Sequence, residues 1–227
     1  MSKRISEYGL LGFFIRAIST LVDHWFDWRY SLDTISISKL EGLTLAGGQR
    51  EHATYYQGTR LLPLRQLLKV LGTQMPQGGA LVDLGSGKGK VLLAAAWCGV
   101  SKVRGVEFAK ELCVVARNNL AAYQARSNTR AAVEIIEGDV AAYAIQPDDT
   151  LFYVFNPFDE VILARVMSNI AASVENHPRK VTLVIAFVSS HYERVIQAQD
   201  FFRLEQEITT WGYRFSLFSN QVADRHV

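Results

Sequence analysis

The stretch Val82-Asp83-Leu84-Gly85-Ser86-Gly87-Lys88-Gly89-Lys90 governs the reading of the whole chain. It starts in the apolar run Ala80–Leu84, turns through three alternate glycines and enters a helix predicted from about Lys88 to Cys98. Glycine is needed where the backbone takes a positive φ or lets a ligand approach closely. A loop at the carboxyl end of a strand is also where open α/β sheets bind ligands. Two phosphate-binding patterns fail on spacing. A P-loop needs a glycine five positions before Gly-Lys-Ser/Thr, but counting back from Gly87-Lys88 reaches Val82, and from Gly89-Lys90 reaches Leu84. A dinucleotide loop, G-x-G-x-x-G, matches Gly85 and Gly87 and then meets Lys90 instead of a third glycine, which disfavours NAD.

Outward from this loop, short apolar runs alternate with amphipathic stretches. Strands are predicted at Ala80–Leu84, Val103–Phe108, Ala132–Ile136, Thr150–Phe155 and Val181–Val188. Helices fall at about Ala109–Arg126, Asp159–Val174 and His191–Gln199. Such alternation implies an α/β fold, a doubly wound and mostly parallel sheet covered on both faces. Two last strands, near Phe202–Thr209 and Tyr213–Ser219, are joined only by a few residues around Trp211-Gly212. Parallel neighbours need a long crossover, so these two must form an antiparallel hairpin. Seven strands result, preceded by a helical extension.

Acidic or amide residues stand at the ends of the next three strands. Glu107-Phe108 follows Asp83 by 24 positions, close to the ~20-residue offset at which an acid meets a ribose in nucleotide folds. Glu137-Gly138-Asp139-Val140 follows the third strand, and Phe155-Asn156-Pro157-Phe158 the fourth. With these companions, Asp83-Leu84-Gly85-Ser86-Gly87-Lys88-Gly89 resembles the D-x-G-x-G-x-G motif of the seven-strand, class I S-adenosylmethionine-dependent methyltransferases. The resemblance covers about Tyr56 to Asn220 and implies the Rossmann-like methyltransferase fold with strand order 3-2-1-4-5-7-6. It further implies S-adenosyl-L-methionine as cofactor, with Asp83 facing its ammonium and Gly85, Ser86, Gly87 and Gly89 forming the cradle. Glu107, beside Phe108, would bind the ribose, and Asp139 with Val140 the adenine. Asn156 and Phe158 match the substrate-facing position, where an amide oxygen orients an acceptor amine and an aromatic ring lines its pocket. This chain has one proline there, where methyltransferases of planar amino nitrogens carry two, which weakens a nucleobase or glutamine acceptor.

Upstream, Tyr55-Tyr56-Gln57-Gly58-Thr59-Arg60 resembles the Tyr-x-Pro-Thr/Ala segment of several protein-lysine methyltransferases of this class, with Gly58 in place of the proline. It implies that Tyr56 and Thr59 close over the cofactor; Thr59 as an ordinary helix N-cap is the competing reading. The expected organisation is an N-terminal helical extension and linker over 1–55 and a methyltransferase domain over 56–227. A helix is predicted over Gly58–Leu71, with Pro63 tolerable only in its first turn. His191 stands on the correct edge to serve as a base, although a histidine beginning a helix is more often simply exposed.

The remaining features bound the partners. Leu10, Phe14, Ile18, Leu21 and Trp25 recur at helical spacing, followed by Trp28. A helix packing this stripe on its own domain is the favoured reading, with docking on a membrane or a partner as the alternative. Lys88 and Lys90 oppose the dipole of the helix they begin. Either Lys88 helps neutralise an anionic ligand group, or both side chains extend into water, and the second is favoured. Length, 227 residues, fits one domain with an extension, and a net charge of +2 gives no indication of nucleic acid. Nothing reaches the ~18 apolar residues of a membrane span. Cys98 and Cys113 sit in apolar helical stretches as free thiols, no metal spacing appears, and a cytoplasmic setting is expected. The expected activity is methyl transfer to a nitrogen acceptor, such as a protein lysine side chain. A small-molecule acceptor, an inactive adaptor binding through the aromatic helix, and a nicotinamide oxidoreductase are the alternatives.

Overall fold

Every residue of Ala80–Leu84 is buried, and this strand, β1, is an interior strand of a seven-stranded sheet. The computed structural model describes residues 3–36, 58–155, 158–187 and 190–220. The other strands are β2 (Lys102–Glu107), β3 (Ala132–Glu137), β4 (Asp149–Val154), β5 (Thr182–Ala186), β6 (Phe202–Thr210) and β7 (Tyr213–Asn220), in the order β3-β2-β1-β4-β5-β7-β6. β1 to β5 run parallel, whereas β7 is antiparallel to both β5 and β6. The closing hairpin turns at Trp211 and Gly212, both at positive φ (50° and 74°). Sequence spacing foresaw this connectivity, and the strand order is the one the family resemblance implied.

Among the described residues, six α-helices accompany the sheet: α1 (Lys3–Tyr30), α2 (Leu61–Gly72), α3 (Lys90–Trp97), α4 (Lys110–Arg126), α5 (Glu160–Asn176) and α6 (Ser190–Gln197). One core joins Phe26 and Tyr30 of α1, the leucines of α2, Val91–Ala96 of α3 and Tyr123 of α4 to Leu81, Val103 and Tyr153. The other packs Ile162, Leu163, Val166, Met167 and Ile170 of α5 with Tyr192 and Ile196 of α6 against Val82, Leu84, Phe152 and Ile185. Adjacent residues of one strand thus serve opposite cores, as the two-residue period of a strand requires.

Local chemistry fixes several helix starts. Asp159 caps α5 by accepting from Val161 N (3.0 Å) and Ile162 N (3.1 Å). Pro63 is the third residue of α2, where a missing N–H leaves no intrahelical bond unmade. Gly9, at φ 57° and ψ −174°, interrupts α1.

The apolar stripe predicted on α1 does not face the domain. Phe14, Ile18, Leu21 and Trp25 are exposed, and the packed face is Ser19, Asp23, Phe26 and Tyr30. Phe26 meets Trp97 and Tyr123 with ring centroids 5.6 and 6.3 Å away, and Tyr30 meets Tyr123 at 4.8 Å. The helix packs on its own domain, as favoured, but through the opposite side.

Candidate cofactor and acceptor site

The carboxyl ends of β1 and β4 mark the point where the strand order reverses, the place at which doubly wound sheets open a ligand crevice. Asp83 stands there, in register with Gly105 of β2 and Tyr153 of β4. After it the chain passes Gly85 (φ 88°), Gly87 (φ 53°) and Gly89 (φ 80°), three left-handed positions that glycine alone takes without strain.

The amides of this loop point inward. Gly85 N and Ser86 N both donate to Val106 O, at 2.9 and 3.0 Å, and Gly89 N donates to Ser86 O at 2.9 Å. Gly87 N donates to Glu107 Oε2 at 2.8 Å, while Glu107 Oε1 accepts from Ala109 N at 2.9 Å. A phosphate cradle needs such N–H groups free and convergent. Four of them are used within the fold, so the geometry opposes a pyrophosphate ligand, in agreement with the failed P-loop and dinucleotide spacings.

Two buried carboxylates remain as the charge of the site. Asp83 and Glu107 are each 3% exposed. Burial, and then the neighbouring Glu107 charge, raises the Asp83 carboxyl well above its ordinary range. Burial also raises Glu107, against the pull of the backbone N–H donors of Ala109, Gly87 and Phe108. Such a pair is costly unless a cation or several hydrogen-bond donors meet it. An ammonium beside Asp83 and a vicinal diol on the spare lone pairs of Glu107 would supply both.

The other expected residues are placed as follows. Ser86 is buried with no hydrogen-bond partner for its Oγ, lying where a side chain on Gly105 would sit. Phe108, half-buried, follows Glu107. Asp139 and Val140 stand beyond β3, where Gly138 N donates to Glu107 O (2.8 Å) and Asp139 Oδ1 accepts from Ala141 N (2.8 Å), opening a single 3₁₀ turn. Thr59 does not cap α2. It is buried, and its hydroxyl shares a hydrogen bond with the Tyr153 hydroxyl at 3.1 Å, next to Asp83 on the neighbouring strand. The first amide of α2, Leu61 N, donates instead to Asp23 Oδ1 (2.9 Å). Phe158 is buried in the α5–α6 core, where its carbonyl accepts from Tyr192 Oη at 2.5 Å. Tyr56 and Asn156 lie outside the described residues, and so does the side chain of His191.

Both lysines of the loop depart from the expectation that they reach into water. Lys88 is buried and pairs with Asp33 (3.1 Å) and Ser36 beyond α1, and Lys90 is buried against Asp23 (2.8 Å) on α1. Asn119 of α4 completes the clasp. Its Nδ2 donates to Asp33 O and to Lys88 O, each at 3.0 Å, while its Oδ1 accepts from Asp33 N at 2.8 Å. Asp23, Asp33 and Asn119 are site-supporting residues that motif reading missed. The signal was there in two cations set against a helix dipole, which calls for anions from elsewhere in the chain.

An aromatic group stands on the β5 side of the crevice. Phe155, directly after β4, lies 6.1 Å from Phe187 and 6.4 Å from Tyr213, and the last two rings are 4.7 Å apart. Phe187 is 45% exposed and holds φ 56°, a conformation rarely taken by a bulky side chain and concentrated at functional sites.

A parallel sheet in this order, closed by an antiparallel seventh strand, defines the class I methyltransferase fold. The chain is similar to a candidate RNA methyltransferase of Pyrococcus horikoshii, at TM-score 0.55 and 17% identity over 82% of this chain and 94% of that one. It is similar to the ribosomal protein L11 methylase of Lactobacillus delbrueckii subsp. bulgaricus, at TM-score 0.52 and 13% identity over 73% of this chain and 81% of that one. The magnesium protoporphyrin IX methyltransferase of Synechocystis PCC 6803, solved with bound S-adenosylmethionine, gives TM-score 0.52 and 13% identity over 71% and 79%. At these identities the likeness is one of fold. No protein-family model and no curated protein matches the sequence. Among the described residues no helix is long and apolar enough to cross a membrane.

Proposed function

We propose that this chain is an S-adenosylmethionine-dependent methyltransferase acting on a nitrogen acceptor, with a protein lysine side chain as the favoured class. The observation that carries the cofactor is the glycine loop whose amides are turned inward beside two buried, mutually opposed carboxylates. That arrangement rejects a phosphate and suits a ligand bearing an ammonium and a ribose. Neighbours of the same fold include a structure with bound S-adenosylmethionine, which supports the same reading.

When bound, the cofactor supplies an electrophilic methyl group on a sulfonium. The chain's own residues do the positioning. Asp83 would hold the ammonium, and Glu107, which ties down Gly87, would receive the ribose hydroxyls. Gly85 and Gly87 keep the wall free of side chains. Asp139 and Val140 would bound the adenine end, and Thr59, braced by Tyr153, would cover the methionine end, the role the resemblance also gives Tyr56. Asn156 would orient the acceptor amine, with Phe158 anchoring the end of that segment in the core.

The acceptor class rests on two supports: the likeness of the Tyr56 segment to protein-lysine methyltransferases, and the aromatic group of Phe155, Phe187 and Tyr213. A lysine amine has a reference pKa of ~10.4 and must lose its proton before it can attack. Apolar surroundings favour the neutral amine, so desolvation by those rings would let it release its proton to water as it enters, without a dedicated base. The reaction then depends mainly on holding amine and methyl in line.

Calorimetric titration with S-adenosylhomocysteine tests the cofactor reading. Micromolar binding that Glu107→Ala weakens at least about tenfold, by loss of charged hydrogen bonds, is the expected result. Absence of binding to the folded protein would remove the enzyme reading. On an acceptor identified by labelled methyl transfer, Asn156→Ala should depress turnover, and unchanged turnover would withdraw Asn156 from the mechanism.

A further inference from the structure

Among the described residues, the outward face of α1 carries six large apolar side chains that are exposed. Phe13 (63%), Phe14 (57%), Ile18 (44%), Leu21 (69%), Trp25 (45%) and Trp28 (77%) are exposed. Five of them, Phe14, Ile18, Leu21, Trp25 and Trp28, alternate at spacings of four and three, so they form one continuous strip along the helix. From Phe14 to Trp28 it is about 21 Å long, at 1.5 Å per residue. Single exposed apolar residues are ordinary, but a contiguous aromatic strip of this length marks a contact surface.

Its rim is cationic. Arg29 lies over the Tyr30 ring at 5.0 Å on one flank, and Arg65 of α2 lies over Trp97, whose ring meets Trp25. Lys69, one turn along α2 from Arg65, is exposed as well. The aspartates of α1 are turned the other way. Asp23 is buried beneath Arg60 and Lys90, and Asp27 accepts both hydrogen bonds of Thr34 (2.8 and 2.6 Å). α2 contains no acid at all. Among the described side chains of α1 and α2, a second copy would meet like-charged rims and no fully exposed carboxylate to pair them. Phenylalanine and tryptophan along the strip with Arg and Lys at its border are instead the composition of a helix lying in the headgroup layer.

We infer that this face of α1 docks the protein on an anionic lipid surface, with the helix parallel to the membrane plane and its aromatic strip among the acyl-chain ends. The cations on its rim meet the lipid phosphates. Since the inward face is fixed to the glycine-loop helix through Asp23 and Lys90, the whole domain is carried with it.

The test is vesicle flotation of the full chain. Vesicles of phosphatidylcholine and phosphatidylglycerol in equal parts should carry the protein upward, with binding roughly tenfold or more weaker on phosphatidylcholine alone and weakened by added salt. Leu21→Glu with Trp28→Glu should abolish flotation at an unchanged melting temperature, while Val161→Glu, at an exposed apolar site on α5, should leave it intact. Failure of the parent protein to float on either vesicle would overturn the inference. So would a lowered melting temperature of the double variant, which would show the strip covered by the chain itself. A concentration-dependent dimer that the double variant dissolves, without vesicle binding, would assign the face to a second copy.

Discussion

Lys90 Nζ lies 2.8 Å from Asp23 Oδ1, and both side chains are almost fully buried, at 4% and 2% exposure. The pair joins the first residue of the helix behind the glycine loop to the last third of α1. Asp23 is shared further: its Oδ2 accepts from Arg60 at 3.0 Å and its Oδ1 from Leu61 N at 2.9 Å. One carboxylate thus compensates two cations and the start of α2. Burial already lowers the Lys90 amine from its ordinary value, with Asp23 as the main opposing influence.

Asp23→Ala should therefore be among the most damaging single substitutions outside the crevice. It leaves the Lys90 charge buried without its partner, a change that costs about 3–5 kcal/mol in comparable buried pairs. Pairing it with Lys90→Met should recover the part due to the buried cation, because an apolar chain of similar length fills the same space, while Arg60 and Leu61 N still lack their acceptor. Urea unfolding of the three proteins checks this. A loss below ~1 kcal/mol for Asp23→Ala, the range of surface pairs, would show the site open to water.

That pair also explains what the sequence could and could not reveal. The strands were legible because Ala80–Leu84, Thr150–Val154 and Leu183–Ala186 are unbroken apolar runs or nearly so, and a parallel interior strand needs burial on both faces. The hairpin was legible because its turn is too short for any other connection. The helical period of α1 was legible too, but a period reports which residues share a face, not which face is packed. The face that packs includes Ser19 and Asp23, since Lys90 and Arg60 need an anion there. No local pattern joins Asp23 to Lys90, or Asp33 to Lys88, across more than fifty positions. Thr59 was misjudged as a possible cap for a related reason. Its partner, Tyr153, is 94 positions away.

Gly105 should prove irreplaceable in a way that Gly138 is not. A Cβ on Gly105 would stand 2.6 Å from Leu92 Cδ1 and 2.7 Å from both Cβ and Oγ of Ser86, inside the glycine loop. Gly105→Ala must push Ser86 or α3 outward, at about 1–3 kcal/mol for an overpacked core, and should weaken S-adenosylhomocysteine more than stability alone explains. Around Gly138, by contrast, nothing lies within 4 Å of the added atom. Gly138→Ala should leave both melting temperature and binding near the parent values. Equal behaviour of the two variants in calorimetry and thermal unfolding would contradict the packing.

Asp83 and Asp148 should bend the pH dependence of stability in opposite directions. Burial, then Glu107, holds Asp83 well above its ordinary 3.8. Above 3.8 the unfolded chain releases a proton that the folded chain retains, so folding loses free energy as pH rises through that window. Asp83→Asn removes the penalty. The ligand-free variant should be more stable than the parent near neutrality, the advantage vanishing as pH falls toward 3.8, while its affinity for S-adenosylhomocysteine collapses. Asp148 is the reverse case. The hydrogen bond from Arg104 is the chief cause that lowers it to about 2, with Lys102 assisting. Its contribution is complete above 3.8 and fades as pH drops toward 2, because there the folded chain must take up the proton last. Asp148→Asn should therefore cost stability at neutral pH and flatten the acid limb of the curve. Urea midpoints measured across the acid and neutral range separate the two. If both substitutions shifted the curve the same way, Asp83 would not be the strained carboxylate on which the proposed cofactor site rests.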